Sequence, residues 1–164
     1  MIYNSRKNIE GFEYNWDSKL RQATIGSDTV KVKYDPMGNR LWRETFDGEA
    51  TTTRKYIVDI SGGLPTILCE INTTNGSLTK SYIYSDTGQI LCQRDGGQSA
   101  NEYFYVTDRL GSVRQIIDSS GNVVRNYTYD PFGQSLEESG SFGNPFMFTG
   151  QWFDSEFSQY YLRK

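Results

Sequence analysis

The sequence predicts an all-β fold of repeated antiparallel hairpins, and three observations carry that expectation. The 164 residues include 12 Tyr and 16 Gly but only 3 Ala; Ala is the strongest helix former, whereas Tyr favours strands. Groups that form tight turns, such as Pro36-Met37-Gly38-Asn39, Thr74-Asn75-Gly76 and Ser120-Gly121-Asn122, recur at short intervals. The runs between them alternate with period two, and no window holds an amphipathic pattern longer than about two helical turns.

Taken in order, the first element is Tyr14-x-Trp16-Asp17 followed by Leu20-Arg21, a loose copy of a pattern that becomes clearer downstream. In Thr29–Tyr34, Val30, Val32 and Tyr34 point one way and Lys31 and Lys33 the other, as a half-buried strand requires. Ile67–Ile71 and Leu78–Tyr84 flank Asn72–Ser77, the strongest hairpin signal in the chain. Tyr82-Ile83-Tyr84 and Glu102–Val106 carry bulk on both faces, which predicts burial on both sides. Tyr127-Thr128-Tyr129 reads as a further strand.

The repeat unit is an aromatic or apolar pair at i and i+2, then Asp, then Gly, then the next strand. Tyr34, Asp35 and Gly38 form the fullest copy, and Tyr129, Asp130 and Gly133 match it. Tyr84, Asp86 and Gly88 keep the Tyr-to-Gly spacing with the Asp moved by one; Tyr105, Asp108 and Gly111 are looser. Each residue type has a physical task. Asp accepts hydrogen bonds from turn N–H groups, Gly supplies a positive φ and Tyr supplies rigid packing area. One hairpin cannot bury its own face, so copies must stack.

Composition removes several functions. The chain has no His, so Ser-His and Cys-His catalysis are excluded within it. Its two Cys cannot close a zinc site alone. A net charge of −3 argues against a nucleic-acid partner or a polybasic membrane contact. No apolar run approaches the roughly 18 residues of a membrane span, and the N-terminus lacks the apolar core of a secretory signal.

Tyr34-Asp35-Pro36-Met37-Gly38-Asn39-Arg40-Leu41 resembles the YD repeat of bacterial Rhs proteins and animal teneurins. Val106-Thr107-Asp108-Arg109-Leu110-Gly111-Ser112-Val113-Arg114 is similar to the TDHLGSVR element of the Rhs repeat-associated core, with Arg109 where His is usual. Tyr127-x-Tyr129-Asp130-Pro131-Phe132-Gly133, Asn144-Pro145-Phe146-x-Phe148-Thr149-Gly150-Gln151 and Tyr160-Tyr161-Leu162-Arg163 follow in the order of that core. The resemblance implies a curved or spiral sheet, part of a hollow shell that in bacterial relatives encloses a secreted toxin. In that family a self-cleavage segment and the toxin follow the stretch equivalent to Tyr160–Arg163. Neither activity is expected of the present residues.

The expected organisation is an N-terminal segment (1–11), YD-repeat hairpins (12–102) and a core-like β region (103–164). The expected function is structural and non-enzymatic, secreted or at the cell surface as part of a larger bacterial protein. The expected partners are the rest of such a shell or further copies paired through strand edges, with a toxin or cell-surface glycan as further candidates. The alternative is a binding module that recognises glycans or a protein through Trp16, Trp42 and Trp152. No cofactor is expected. Turn capping is preferred over catalysis or calcium for Asp35, Asp130 and the Asp118–Asn122 loop, which lacks a calcium loop's closing Glu. Asp154, Glu156, Glu137 and Glu138 are read as solvated loop carboxylates rather than glycosidase groups. Cys69 and Cys92 are read as buried thiols, or as a disulfide if the chain is exported.

Overall fold

The computed structural model describes residues 9–97, 100–156 and 158–162. Twelve strands follow one another in chain order within an antiparallel sheet. They are β1 (Ile9–Tyr14), β2 (Leu20–Ile25), β3 (Asp28–Tyr34), β4 (Arg40–Phe46), β5 (Thr51–Asp59), β6 (Thr66–Asn72), β7 (Leu78–Tyr84), β8 (Ile90–Asp95), β9 (Asn101–Thr107), β10 (Val113–Asp118), β11 (Val123–Tyr129) and β12 (Ser135–Gly140). A 3-10 turn (Phe148–Gly150) and a small hairpin, β13 (Trp152–Asp154) and β14 (Gln159–Tyr161), follow among the described residues. The expected all-β class holds, and the sheet is open rather than closed into a barrel. The residues form two compact units that part between Thr79 and Lys80.

In the first unit, Val30 and Val32 are buried and Lys31 and Lys33 exposed, the alternation read from the sequence. Ala23, Tyr56 and Ile67 join Val30 and Val32 in its core. Glu70 is also buried, and Arg54 reaches its Oε2 from the neighbouring strand at 3.0 Å. The hairpin expected at Asn72–Ser77 closes through Asn72 N–H to Ser77 O (2.9 Å) and Gly76 N–H to Asn72 O (2.8 Å).

In the second unit, Tyr82, Ile90, Tyr105, Ile116 and Tyr127 lie on one buried face. The expectation that Tyr82-Ile83-Tyr84 and Glu102–Val106 are buried on both sides is corrected here. Ile83 is 48% and Phe104 39% exposed, and Val106 is exposed too. Only the Tyr face is covered, because the chain after β12 returns across that side alone. Cys92 pairs in register with Ile83 and Phe104. It is small enough to be buried between them. Cys69 is half-buried, and both thiols are free; burial pushes both upward, so they are poor nucleophiles.

Candidate functional site: capped turns and a closing segment

The repeat motif folds into one local device. Asp35 N–H donates to Asn39 O (2.9 Å), and Gly38 N–H donates to Asp35 O (3.0 Å). The Asp35 Oδ1 then accepts the Asn39 N–H at 2.8 Å. Gly38 sits at φ +88°, where a side chain is strained. The same three bonds recur at Asp108/Gly111/Ser112, Asp118/Gly121/Asn122 and Asp130/Gly133/Gln134. The motif carboxylates are therefore occupied as acceptors for turn N–H groups.

Two copies depart from the sequence reading. In the β7–β8 turn it is Ser85 whose Oγ accepts the Gln89 N–H (3.1 Å), with Gly88 N–H on Ser85 O. Asp86 is one residue too late to cap and lies exposed. In the β1–β2 turn the cap is Asn15, whose Oδ1 accepts the Lys19 N–H at 2.8 Å. There Ser18 occupies the glycine position at φ +58°. Trp16 is consequently a turn residue, 95% exposed, and not a strand aromatic. Ser85 and Asn15 are detectable as polar acceptors five residues before the returning strand, the spacing that Asp35 sets.

Electrostatics follow from the geometry. Burial acts to raise the Asp35 carboxyl, but the Asn39 backbone and side-chain donors, helped by the Met37 and Gly38 N–H groups, outweigh it and leave it lowered. The side chain and backbone N–H of Asn122 hold the Asp118 carboxyl below its ordinary value in the same way. Both carboxylate oxygens of Asp118 are thus engaged with amides of its own turn. Among the described residues no group of three or more His, Cys, Asp or Glu could hold a metal ion.

The second component is the segment of residues 141–156 and 158–162, which packs over the Tyr face of β7–β11. Phe146 is its centre. Its ring meets Tyr82 edge-on at 5.0 Å, Trp152 at 5.4 Å, and Tyr84 and Tyr105 at 6.2 Å each. Asn144 fixes the entry to this cluster. Its Oδ1 accepts the Phe146 N–H and the Tyr105 hydroxyl, both at 2.9 Å, and its Nδ2 donates to the Tyr127 hydroxyl at 3.3 Å. Val113 N–H donates to Met147 O (3.1 Å), and Thr149 N–H to the Oγ of the buried Ser112 (3.0 Å). Tyr160 closes the far side by donating to Gly133 O at 2.8 Å. Burial raises the Tyr105, Tyr129 and Tyr160 phenols, so each keeps its hydroxyl proton at neutral pH.

The motif aromatics divide between these tasks. Tyr84, Tyr105 and Tyr129 face the closing segment, Tyr129 against Phe148 at 5.7 Å. Tyr34, in the first unit, has the Lys19 ammonium 5.9 Å from its ring centre. The three tryptophans have different fates. Trp152 is buried in the core of the second unit, Trp42 is half-buried beneath the Lys33 ammonium at 4.3 Å, and Trp16 stands at a turn tip. The burial of Trp152 removes it as a surface ring. Asp154 was expected to be solvated, but it is buried, because β13 alternates and turns Trp152 and Asp154 inward.

Comparison with known proteins places these hairpins in a family. Residues 3–159 match the family model described as teneurin YD-shell. The chain belongs to the teneurin YD-shell family. It is 33% identical over 168 residues to the tRNA3(Ser)-specific nuclease WapA of Bacillus spizizenii, covering 97% of this chain and 7% of that protein. Teneurin-1 of Gallus gallus is 25% identical over 132 residues, covering 79% of the chain and 5% of the relative. Among solved structures, the TcdB2-TccC3 crystal structure superposes with a TM-score of 0.63 at 16% identity, over 92% of this chain and 8% of that one. The Photorhabdus luminescens Tc holotoxin pore gives 0.66 at 16%, with the same coverage. These structural likenesses concern the fold. The chain spans less than a tenth of the length of each of these relatives. Among its described residues, no helix is long and apolar enough to cross a membrane.

Proposed function

We propose that this YD-shell module is a non-enzymatic wall element, secreted or surface-exposed as part of a larger bacterial protein, whose shell houses a toxin. In this reading residues 12–102 supply wall hairpins and 103–164 supply the closing region. One observation carries it. The carboxylates of Asp35, Asp108 and Asp130 are spent on turn amides, and the only segment outside the hairpin order among the described residues, 141–156 with 158–162, is spent on covering the Tyr face. The WapA relatives are named as tRNA nucleases, but this chain matches 7% of their length, so that activity does not come with the similarity. Among the described residues β12 has a strand partner only on its β11 side, and an open edge recruits further strands. Its partner in this reading is another hairpin of the same kind.

The test combines two measurements on the purified chain. Incubation with tRNA is expected to leave the tRNA intact; cleavage that tracks the chain through purification overturns the non-enzymatic reading. Light scattering is expected to show association with itself or with an added YD-repeat chain. A strict monomer that captures neither overturns the wall reading.

A further inference from the structure

Asn15, Asn72 and Asn75, all in the first unit, each fold the side chain back onto the N–H two residues ahead. The Oδ1 of Asn15 accepts the Asp17 N–H at 3.1 Å, that of Asn72 the Thr74 N–H at 2.8 Å and that of Asn75 the Ser77 N–H at 3.0 Å. Such a turn brings the amide carbon beside the peptide nitrogen of the residue in between. For Asn15 and Asn72 that residue is Trp16 or Thr73, whose side chain crowds the approach. For Asn75 it is Gly76, and Asn75-Gly76 is the one Asn-Gly pair in the sequence. A Cβ at Gly76 would meet nothing within 4 Å, and Asn75, Gly76 and Ser77 are all exposed. The Asn75 Oδ1 also accepts the Ser77 hydroxyl, at 2.7 Å. The Ser77 N–H can bond only to an acceptor, which fixes the side-chain oxygen on that side.

We propose that Asn75 is a self-modification site, where the Gly76 nitrogen displaces the side-chain amide and Ser77 assists. Hydroxide from solvent takes the Gly76 N–H proton, which otherwise lies on Asn72 O at 2.8 Å. The freed nitrogen attacks Cγ of Asn75, and the new N–C bond pushes an electron pair onto Oδ1. The Ser77 N–H and O–H already stand 3.0 and 2.7 Å from that oxygen, the span at which donors hold an oxyanion. As the pair returns, the Cγ–Nδ2 bond breaks. Nδ2 takes a proton from water and leaves as ammonia, which restores the hydroxide. The product is a cyclic imide, which a water molecule then opens at either carbonyl. One opening leaves an aspartate, the other an isoaspartate whose backbone runs through the side-chain methylene. Water is the only co-reactant, and the two reacting groups are held together within one turn.

Asp47-Gly48 has the same turn without the same chemistry. The Asp47 Oδ1 accepts the Glu49 and Ala50 N–H groups at 3.1 and 2.8 Å, but a carboxylate has no amine to lose. At Asn75 the change reaches the hairpin itself. The imide removes the Gly76 hydrogen that closes the turn on Asn72. An isoaspartate lengthens the backbone between Asn72 and Ser77, whose N–H to O bond at 2.9 Å closes the same turn, and it adds a negative charge. This turn joins β6 to β7, the strand in which the two compact units part. The modified chain is therefore expected to lose hydrogen-exchange protection at the Asn72 N–H.

The test follows the purified full chain by intact mass and peptide mapping over several weeks at pH 6 and pH 8. Exchange of the amide for a carboxylate adds about 1 Da. The gain is expected at Asn75, faster at pH 8, with an isoaspartate fraction accepted by an isoaspartyl methyltransferase. Asn15 and Asn72 are expected to stay intact. Ser77→Ala removes the hydroxyl and is expected to slow the loss about three- to tenfold, what one hydrogen bond is worth. Ser77→Thr keeps the hydroxyl and is expected to react like the unaltered chain. In urea the turn is lost, and all three chains are expected to react at the same rate. No gain at Asn75, a comparable gain at Asn72, equal folded-state rates for Ser77→Ala and the unaltered chain, or the same slowing in urea would each overturn the proposal.

Discussion

Removing the Phe146 ring is expected to cost the second unit a large share of its stability. Phe146 is 4% exposed and sits among four aromatic partners, two of them, Tyr82 and Trp152, within 5.4 Å. Truncating a core Phe to Ala costs about 3–5 kcal/mol through lost transfer energy and the cavity left behind. Edge-on ring pairs contribute about 0.5–1.5 kcal/mol each beyond area, which places Phe146→Ala at the upper end. Against a total of about 5–15 kcal/mol for a domain, that loss is severe. The assay is urea unfolding followed by near-UV circular dichroism, with Phe132→Ala as control. Phe132 is 90% exposed at a turn tip, and its removal is expected to change stability by under about 0.5 kcal/mol. If Phe146→Ala loses less than about 1 kcal/mol, the closing segment is not a core element and the reasoning fails.

Ser18→Gly should stabilise the chain by about 0.5–1 kcal/mol, because Ser18 holds a φ of +58° that every other copy of the turn gives to glycine; a lower urea midpoint would contradict this. Gly121 and Gly133 have nearly the same φ, +84° and +86°, but a Cβ at Gly133 would stand 2.6 Å from the Phe148 ring and one at Gly121 meets nothing. Gly133→Ala should therefore exceed Gly121→Ala by about 1–3 kcal/mol of overpacking, measured as the difference in unfolding free energy. Asp35→Asn should fold normally at pH 7, since Asn15 performs the same capping with an amide oxygen. A lowered folded-state carboxyl contributes stability that is present above about 3.9 and lost as pH falls through its folded value. Acid unfolding profiles between pH 6 and 2 should accordingly be shallower in Asp35→Asn, and parallel profiles would refute the assignment.

The turns were legible because everything that makes them lies within five residues. Asp35, Gly38 and Asn39 form a closed set of bonds that needs nothing from elsewhere, so spacing alone reveals it. The same locality explains the two misreadings. Attention to Asp as the acceptor passed over Ser85 and Asn15, whose Oγ and Oδ1 do the same work at the same position. Which strand face is covered was not legible. The covering residues lie far along the chain, with Tyr105 and Asn144 separated by 39 positions and Ser112 and Thr149 by 37. Ile83 and Phe104 look as apolar as Tyr82 and Tyr105, and nothing in their own strands says which side Phe146 will occupy. Asp154 and Gln93 were missed for the same reason, since their burial is imposed by packing and not by local pattern.

That contrast between self-contained turns and a distant cover has a kinetic consequence. Each five-residue turn sets the register of its own hairpin, so strands can pair with the preceding strand as soon as they exist. The closing segment must wait until β7–β11 present a finished face, and the entropy of bringing together residues nearly forty positions apart is met only then. Its bonds are therefore expected to form after the rate-limiting barrier. Weakening Phe146 or Asn144 is expected to accelerate unfolding while leaving the refolding rate almost unchanged. Changes to Gly111 or Asp108, inside a turn, are expected to slow folding itself. On this expectation the segment that covers the Tyr face sets how long the second unit stays shut, and the turns set how quickly it is made.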